Sequence, residues 1–186
     1  MNAHIPSESE LLRLAHRFDS IALAQIYDRY SPDIYRYAMR LLGNAVLAED
    51  CVSETFSRLL QALASGKGPR DYLRAYLYRI AHNWITDQYR RARPTEELNE
   101  SQPSEANNLE ETADQNMQHS RLLQAIRKLT PDQQQVIALK FWQDWDNEEI
   151  ARTLGKPIGA IKSLQHRALN TLQRHLQQES GKHEHK

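Results

Sequence analysis

The chain has a single cysteine, Cys51, so it can form no disulfide within itself, and without a second thiol it offers no C-x-x-C zinc or redox motif. A lone cysteine of this kind reads as a small buried apolar residue. No apolar run approaches the roughly 18 residues that a membrane-spanning helix needs, and the opening MNAHIPSESELLRL lacks a basic segment ahead of an apolar one. A cytoplasmic protein with no direct membrane insertion is expected. There is no Gly-rich phosphate loop and no Ser, Cys or Lys in a nucleophile motif, and Asp71 and Asp87 lie too far apart on one helix to face each other. Neither catalysis nor a cofactor is expected. His183 and His185 stand in a polar tail expected to fray rather than to bind metal.

Charge of either sign is missing only in places. The 24 basic and 24 acidic residues cancel overall, yet residues 1–93 hold 13 basic against 10 acidic, 94–119 none against 7, and 120–186 11 against 7. Two mildly basic modules therefore flank an acidic strip. That strip, PTEELNESQPSEANNLEETADQNMQH, has only Leu98, Leu109 and Met117 as sizeable apolar residues and cannot cover a core. It reads as a flexible, self-repelling linker over 94–119, between a module at 1–93 and another at 120–177, with a disordered tail at 178–186.

Strand alternation is absent too, and helix signals recur. Ser7-Glu8-Ser9-Glu10 resembles a capping box, Ser31-Pro32 fits a helix start, Gly43-Asn44 an end followed by a new cap, and Gly66 and Gly68 a stop. Four helices are expected before the linker. Over 45–63, Val52, Phe56, Leu59, Leu60 and Leu63 make the inward face, leaving Glu49, Asp50, Ser53, Glu54 and Ser57 outward. Over 70–92, Leu73, Leu77, Ile80, Ala81 and Trp84 face in, and Arg79, His82, Asn83, Thr86, Asp87 and Arg90 share a polar, net basic side. After the linker, Leu122, Leu123, Ile126 and Leu129 describe a helix ended at Thr130-Pro131, and Val136, Ile137, Leu139 and Phe141 another. Asp146 caps a short helix with Glu149 three residues on and Gly155 breaks it, after which Ile161, Leu164, Ala168 and Leu172 line one face of a new helix. Two helices across a Gly-containing turn make a helix-turn-helix, so the chain is expected to be all-α, two small helical modules on a flexible acidic linker.

In a helix-turn-helix the second helix enters the major groove, where acids are unwelcome. The outward residues of that helix are Lys162, Ser163, Gln165, His166, Arg167 and Asn170, and no Asp or Glu occurs between Leu154 and Gln178. The first module carries a different DNA surface. Tyr72, Tyr76, Tyr78, Trp84 and Tyr89 are interleaved with Arg70, Arg74, Arg79, Arg90 and Arg91, and rings beside cations suit unstacked single-strand bases, at about 1–3 kcal/mol per stacked base. For Trp84 a core position is the stronger reading, and for Tyr72 the two are even.

Four stretches, Ala48-Glu-Asp-Cys-Val-Ser-Glu-Thr-Phe-Ser-Arg-Leu, Tyr76-Leu-Tyr-Arg-Ile-Ala-His-Asn83, Asp87-Gln-Tyr-Arg-Arg91, and Glu149-Ile-Ala-Arg-Thr-Leu-Gly through Ala160-Ile-Lys-Ser-Leu-Gln-His-Arg-Ala168, occur in this order around the acidic strip. In them the chain resembles the extracytoplasmic-function (ECF) sigma factors of the sigma-70 family, over residues 11–177. The resemblance implies a region 2 helical bundle and a region 4 helix-turn-helix, in an alternative sigma factor that binds core RNA polymerase and directs promoter-specific initiation. Asp50, Val52, Ser53, Glu54, Phe56, Ser57 and Leu60 would form the face toward the clamp helices of the polymerase's largest subunit, with the flap region as a further polymerase contact. Lys67, Arg70, Tyr72, Tyr76, Arg79, Asn83, Asp87, Arg90 and Arg91 would open and read the minus-ten element as single strand and position the adjoining duplex. Lys162, Ser163, Gln165, His166, Arg167 and Asn170 would read the minus-thirty-five element as duplex. The linker would thread the polymerase channels, where an acidic strand can imitate RNA, and an anti-sigma protein is the implied regulator.

The chain departs from the family's usual pattern at Tyr76 (usually Trp), Gln134 (often Arg), Ala160 (commonly Thr) and Leu164-Gln165 (frequently Arg-Leu), so the promoter sequence does not carry over. The alternative is a helix-turn-helix regulator that acts without polymerase. Such a regulator has no need of an acidic docking helix followed by an aromatic-basic one.

Overall fold

The computed structural model describes residues 6–92 and 113–180. Helix α1 (Glu8–Ala15) starts where the Ser7 hydroxyl accepts a hydrogen bond from the Glu10 N–H at 3.3 Å, satisfying a donor that a helix start leaves orphaned. Phe18 takes a positive φ, and the Asp19 carboxylate then accepts from the Ala22 N–H at 2.9 Å to begin α2 (Ser20–Leu42). The helix start expected at Ser31-Pro32 is not there, because Pro32 lies inside α2. An interior proline lacks the N–H and crowds a carbonyl, at about 3 kcal/mol or more. The buried row Ala22, Ile26, Tyr30, Ile34, Tyr37, Ala38 and Leu41 runs unbroken past it. At about 1.5–3 kcal/mol for each large apolar side chain buried, continuous packing outweighs the local break.

Gly43, at φ +65°, ends α2 ahead of α3 (Ala45–Ala64), and Gly66 follows α3 before α4 (Leu73–Ala92). The core around these helices includes Leu12, Leu41, Leu59, Leu73, Leu77 and Ile85. Three expectations for α3 and α4 fail. Leu60 is 41% exposed rather than inward, and His82 and Thr86 are buried rather than outward. The buried stripe of α4 runs through Leu73, Leu77, Tyr78, Ala81, His82 and Ile85, rotated from the predicted one, with Ile80 and Trp84 only half-buried. The core accepts His82 because its Nδ1 lies 2.8 Å from the Tyr37 hydroxyl, so a polar atom is buried with its partner.

Cys51 is fully buried, with Sγ 3.8 Å from the Ala81 carbonyl, and burial pushes its thiol up to about 12. An acid raised on folding contributes stability that is present below its ordinary pKa and lost as pH rises toward the folded value, here between the ordinary thiol range and about 12. At pH 8 a thiol reagent is therefore expected to label Cys51 no faster than the protein opens, and to label it at once in denaturant. Rapid labelling of the native chain would contradict this packing.

A second set of helices follows, α5 (Ala113–Arg127), α6 (Pro131–Trp142), α7 (Asn147–Leu154) and α8 (Ile158–Ser180). Thr130 and Gln133 form a capping box for α6 with Pro131 in its first turn. Asp146 and Glu149 form another for α7, at 2.7 and 2.9 Å, and Gly155 ends it at φ +63°. Helix α8 packs on α5, α6 and α7, burying Ile161, Leu164, Ala168 and Leu172. Gln134 is buried and its Nε2 donates to the carbonyls of Ile126 and Leu129 at 3.0 and 3.3 Å, closing the end of α5.

The structure corrects four expectations here. Phe141 and Leu122 are exposed rather than inward, α5 begins at Ala113 inside the expected linker, and α8 runs to Ser180 past the expected end at 177. The run ADQNMQH at the start of α5 holds neither Gly nor Pro, and its Ala, Gln and Met are good helix formers. Expectations for 94–112 and for His183 and His185 lie outside the described residues. By contacts the chain divides into two units, one of residues up to Leu42 with Val46–Asp87, the other of Gly43–Ala45 with residues from Gln88 onward. Among the described residues no helix is long and apolar enough to cross a membrane.

Candidate nucleic-acid and polymerase interfaces

Helix α3 turns Glu49, Asp50, Ser53 and Ser57 to solvent, with Glu54 half-buried. Glu54 pairs with Arg58 at 2.7 Å, and Gln61 donates to the Ser57 hydroxyl at 3.4 Å. Of the seven residues expected to meet polymerase, Asp50, Ser53, Glu54, Ser57 and Leu60 lie on this open side. Val52 and Phe56 are buried, and the Phe56 ring packs on Tyr27 of α2, centroids 4.8 Å apart. They hold the helix rather than present a surface. Tyr27, half exposed beside Phe56, extends the face with an apolar edge that no periodicity within α3 could have revealed.

The loop between α3 and α4 exposes Lys67, Arg70 and Tyr72. Tyr72 stands immediately before α4 with φ +50° and is 52% exposed. A non-glycine residue in this region is strained and is held there by its surroundings. Along α4, Tyr76, Arg79, Asn83 and Asp87 recur at three- and four-residue spacing and so share one face. Arg79 and Asn83 are exposed, Tyr76 and Asp87 half-buried, and the Arg79 guanidinium lies 5.6 Å from the Tyr76 ring centroid. Arg90 and Arg91 are exposed at the end of the same helix. Tyr78 belongs to the core instead: it is fully buried, edge-on to Tyr37 at 5.1 Å, and burial pushes its phenol well above the ordinary value. The stacking ring expected there is thus removed from the surface.

In the helix-turn-helix, α8 exposes Lys162, Ser163, His166, Arg167 and Asn170 on the side away from its buried row. The Ser163 hydroxyl donates to the Gly159 carbonyl at 3.0 Å and Arg167 Nε to the Ser163 carbonyl at 3.3 Å, while Asn170 and His166 lie 3.1 Å apart. Gln165 is half-buried, its Nε2 donating to Asn147 Oδ1 at 2.8 Å. Asn147 was not among the expected site residues. Its only sequence signal is an amide-bearing residue in the first turn of α7.

Comparison with known proteins gives this geometry a family. The sigma-70 region 2 model matches residues 26–95 and the sigma-70 region 4 model residues 119–172. The chain is 35% identical over 169 residues to the ECF RNA polymerase sigma factor BldN of Streptomyces coelicolor, covering 89% of this chain and spanning 64% of that relative's length. It is 30% identical over 162 residues to the ECF RNA polymerase sigma factor SigL of Mycobacterium tuberculosis, covering 86% of this chain and 92% of the relative. The solved structure of the sigma factor RpoE in complex with the anti-sigma factor NepR, from Bartonella quintana, is similar at a TM-score of 0.60 and 26% identity over 83% of this chain and 96% of that one. CnrH, solved with the cytosolic domain of CnrY, shares the fold at a TM-score of 0.68 and 22% identity, over 91% and 97% of the two chains. With relatives aligned along most of its length and both sigma-70 regions in order, the chain belongs to the family of ECF RNA polymerase sigma factors.

Proposed function

We propose that this chain is an alternative sigma factor that docks on core RNA polymerase through the acidic face of α3 and reads promoters with both units. One observation carries the reading: an exposed loop and helix face bearing Tyr72, Tyr76, Arg79 and Asn83 occur in the same chain as an acid-free recognition helix. An operator-binding regulator needs only the second. The loop 66–72 and the α4 face take the minus-ten element as single strand, with Lys67, Arg70, Asp87, Arg90 and Arg91 at its edges and on the duplex beside it. Extruding a base costs about a few kcal/mol, which stacking at about 1–3 kcal/mol per base offsets. Lys162, Ser163, Gln165, His166, Arg167 and Asn170 read the minus-thirty-five element in the major groove, where a good bidentate pair discriminates by about 1–3 kcal/mol.

The chain supplies binding energy and leaves bond formation to the polymerase, in the cytoplasm. The acidic segment after residue 93 joins the two modules and lies in the polymerase channels. An anti-sigma protein, the kind of partner seen with the related RpoE, holds the factor inactive. Transcription from a fragment library by core polymerase, with and without the chain, tests the reading. New defined start sites are expected only with it; duplex binding without initiation would favour the regulator. For the second unit, Lys162→Ala and Arg167→Ala are each expected to lower the slope of log K against log salt by up to about 0.9 in holoenzyme binding to a minus-thirty-five duplex. An unchanged slope for both would remove them from the phosphate-contacting surface.

A further inference from the structure

Tyr72 precedes α4 without being one of the residue types that cap a helix start. The Leu73 N–H is bound instead by Glu8, whose Oε1 accepts it at 2.9 Å from a helix 65 residues earlier in the chain. The other carboxylate oxygen, Oε2, accepts the Tyr30 hydroxyl at 2.8 Å. Burial, together with that hydrogen bond and the charge of Glu8, pushes the Tyr30 phenol well above its ordinary value, so it stays a donor. A carboxylate at a helix start also meets the positive end of the helix dipole.

A second tether lies four residues back. His16, at the end of α1, has Nε2 3.0 Å from the Pro69 carbonyl, and since a carbonyl only accepts, Nε2 carries the proton. The loop sits closely on this ring: a Cβ on Gly68 would fall 2.7 Å from Leu63 Cδ2 and 3.3 Å from His16 Cε1. Helix α1 therefore pins the loop at Pro69 and again at Leu73. Between the two pins lie Arg70, Asp71 and Tyr72, all exposed, with Tyr72 in a conformation that its residue type does not favour.

We infer that Glu8 and His16 are positioning residues that hold the 70–72 segment ready for the unpaired minus-ten strand. The inference rests on the reading of loop 66–72 as the single-strand surface. A loop ordered before DNA arrives loses less freedom on binding, so removing the pins weakens strand capture without touching DNA. The two tethers act from outside the face that the bases meet. Their loss should not change recognition of duplex by the other unit.

The test measures holoenzyme binding to a single-stranded minus-ten oligonucleotide, binding to a minus-thirty-five duplex, and open-complex formation on a full promoter, at a temperature where circular dichroism reports folded protein. Glu8→Ala is expected to lower strand binding and promoter opening about tenfold, with core and minus-thirty-five binding unchanged. Glu8→Gln, which keeps an acceptor for Leu73 and can donate to the Tyr30 oxygen, is expected to restore most of the loss. His16→Ala should repeat the pattern of Glu8→Ala, and it carries the test if Glu8→Ala fails to fold. Variants that bind the strand like wild type, or that lose strand, core and duplex binding in equal proportion, would overturn the inference alone. Wild-type holoenzyme that does not bind the strand would overturn the reading of the loop, and the inference with it.

Discussion

Changing Asp50 and Glu54 together to lysine is expected to weaken binding to core polymerase by about 100-fold or more while leaving the helices intact. Both side chains are on the open side of α3, and no core residue depends on either. Like charges brought together across an interface cost several kcal/mol, and about 2.7 kcal/mol already corresponds to about 100-fold. The effect on folding is far smaller. The Glu54–Arg58 pair is an exposed i, i+4 bridge, the kind that contributes about 0.3–0.5 kcal/mol before salt screening. Co-elution with core and a thermal melt of each variant separate the two effects. Glu54→Gln, which loses the bridge without reversing charge, should bind core far better than the double variant. If the double variant still binds core as wild type does, α3 is not the docking helix, and the neighbouring Tyr27 and Leu60 lose their proposed part in it.

How far the chain could be read in advance depended on how local each signal was. The helix-turn-helix was legible because Asp146, Glu149 and Gly155 fall within ten residues and act on their own backbone. Five of its six outward residues followed from period alone, since Ile161, Leu164, Ala168 and Leu172 all turn inward, while Gln165 is half-buried against Asn147. The helix start expected at Pro32 is absent because a proline states a local cost, while the contacts that hold α2 come from elsewhere in the fold: Tyr30 on Glu8 of α1, Tyr27 on Phe56 of α3 and Tyr37 on Tyr78 of α4. His82 departs from its expected outward position for the same kind of reason. Its partner, Tyr37, is 45 residues away, and a histidine with a buried partner looks in sequence like one facing water. Val52 and Phe56 entered the docking face through family resemblance, although their spacing already put them inward, and the spacing proved the better guide to where their side chains point. Glu8 and His16 carried no signal, since what marks them is a contact across the fold to a loop.

Tyr72, just before α4, and Tyr78, in its second turn, should behave in opposite ways. Tyr78 is fully buried and edge-on to Tyr37, whose hydroxyl meets His82, so Tyr78→Ala removes a ring from the centre of the first unit. Truncating a buried aromatic costs about 3–5 kcal/mol, a large part of the about 5–15 kcal/mol that holds a domain folded. The melting midpoint should drop sharply, and every activity should fall together in proportion to the unfolded fraction. Tyr72 is half exposed, and alanine meets the same positive φ that tyrosine does, so Tyr72→Ala should change stability by no more than about 0.5 kcal/mol. Promoter opening should nevertheless fall, by about 5- to 150-fold if the ring stacks on one base at about 1–3 kcal/mol. Tyr72→Trp keeps a larger stacking face and should recover most of it. Measured together, thermal midpoint and open-complex yield place each ring: a stable Tyr78→Ala or an unstable Tyr72→Ala would mean that the core and the strand-reading surface have been exchanged. A Tyr72→Ala that is stable and opens promoters normally would leave the unpaired strand to the Tyr76–Arg79–Asn83 face alone.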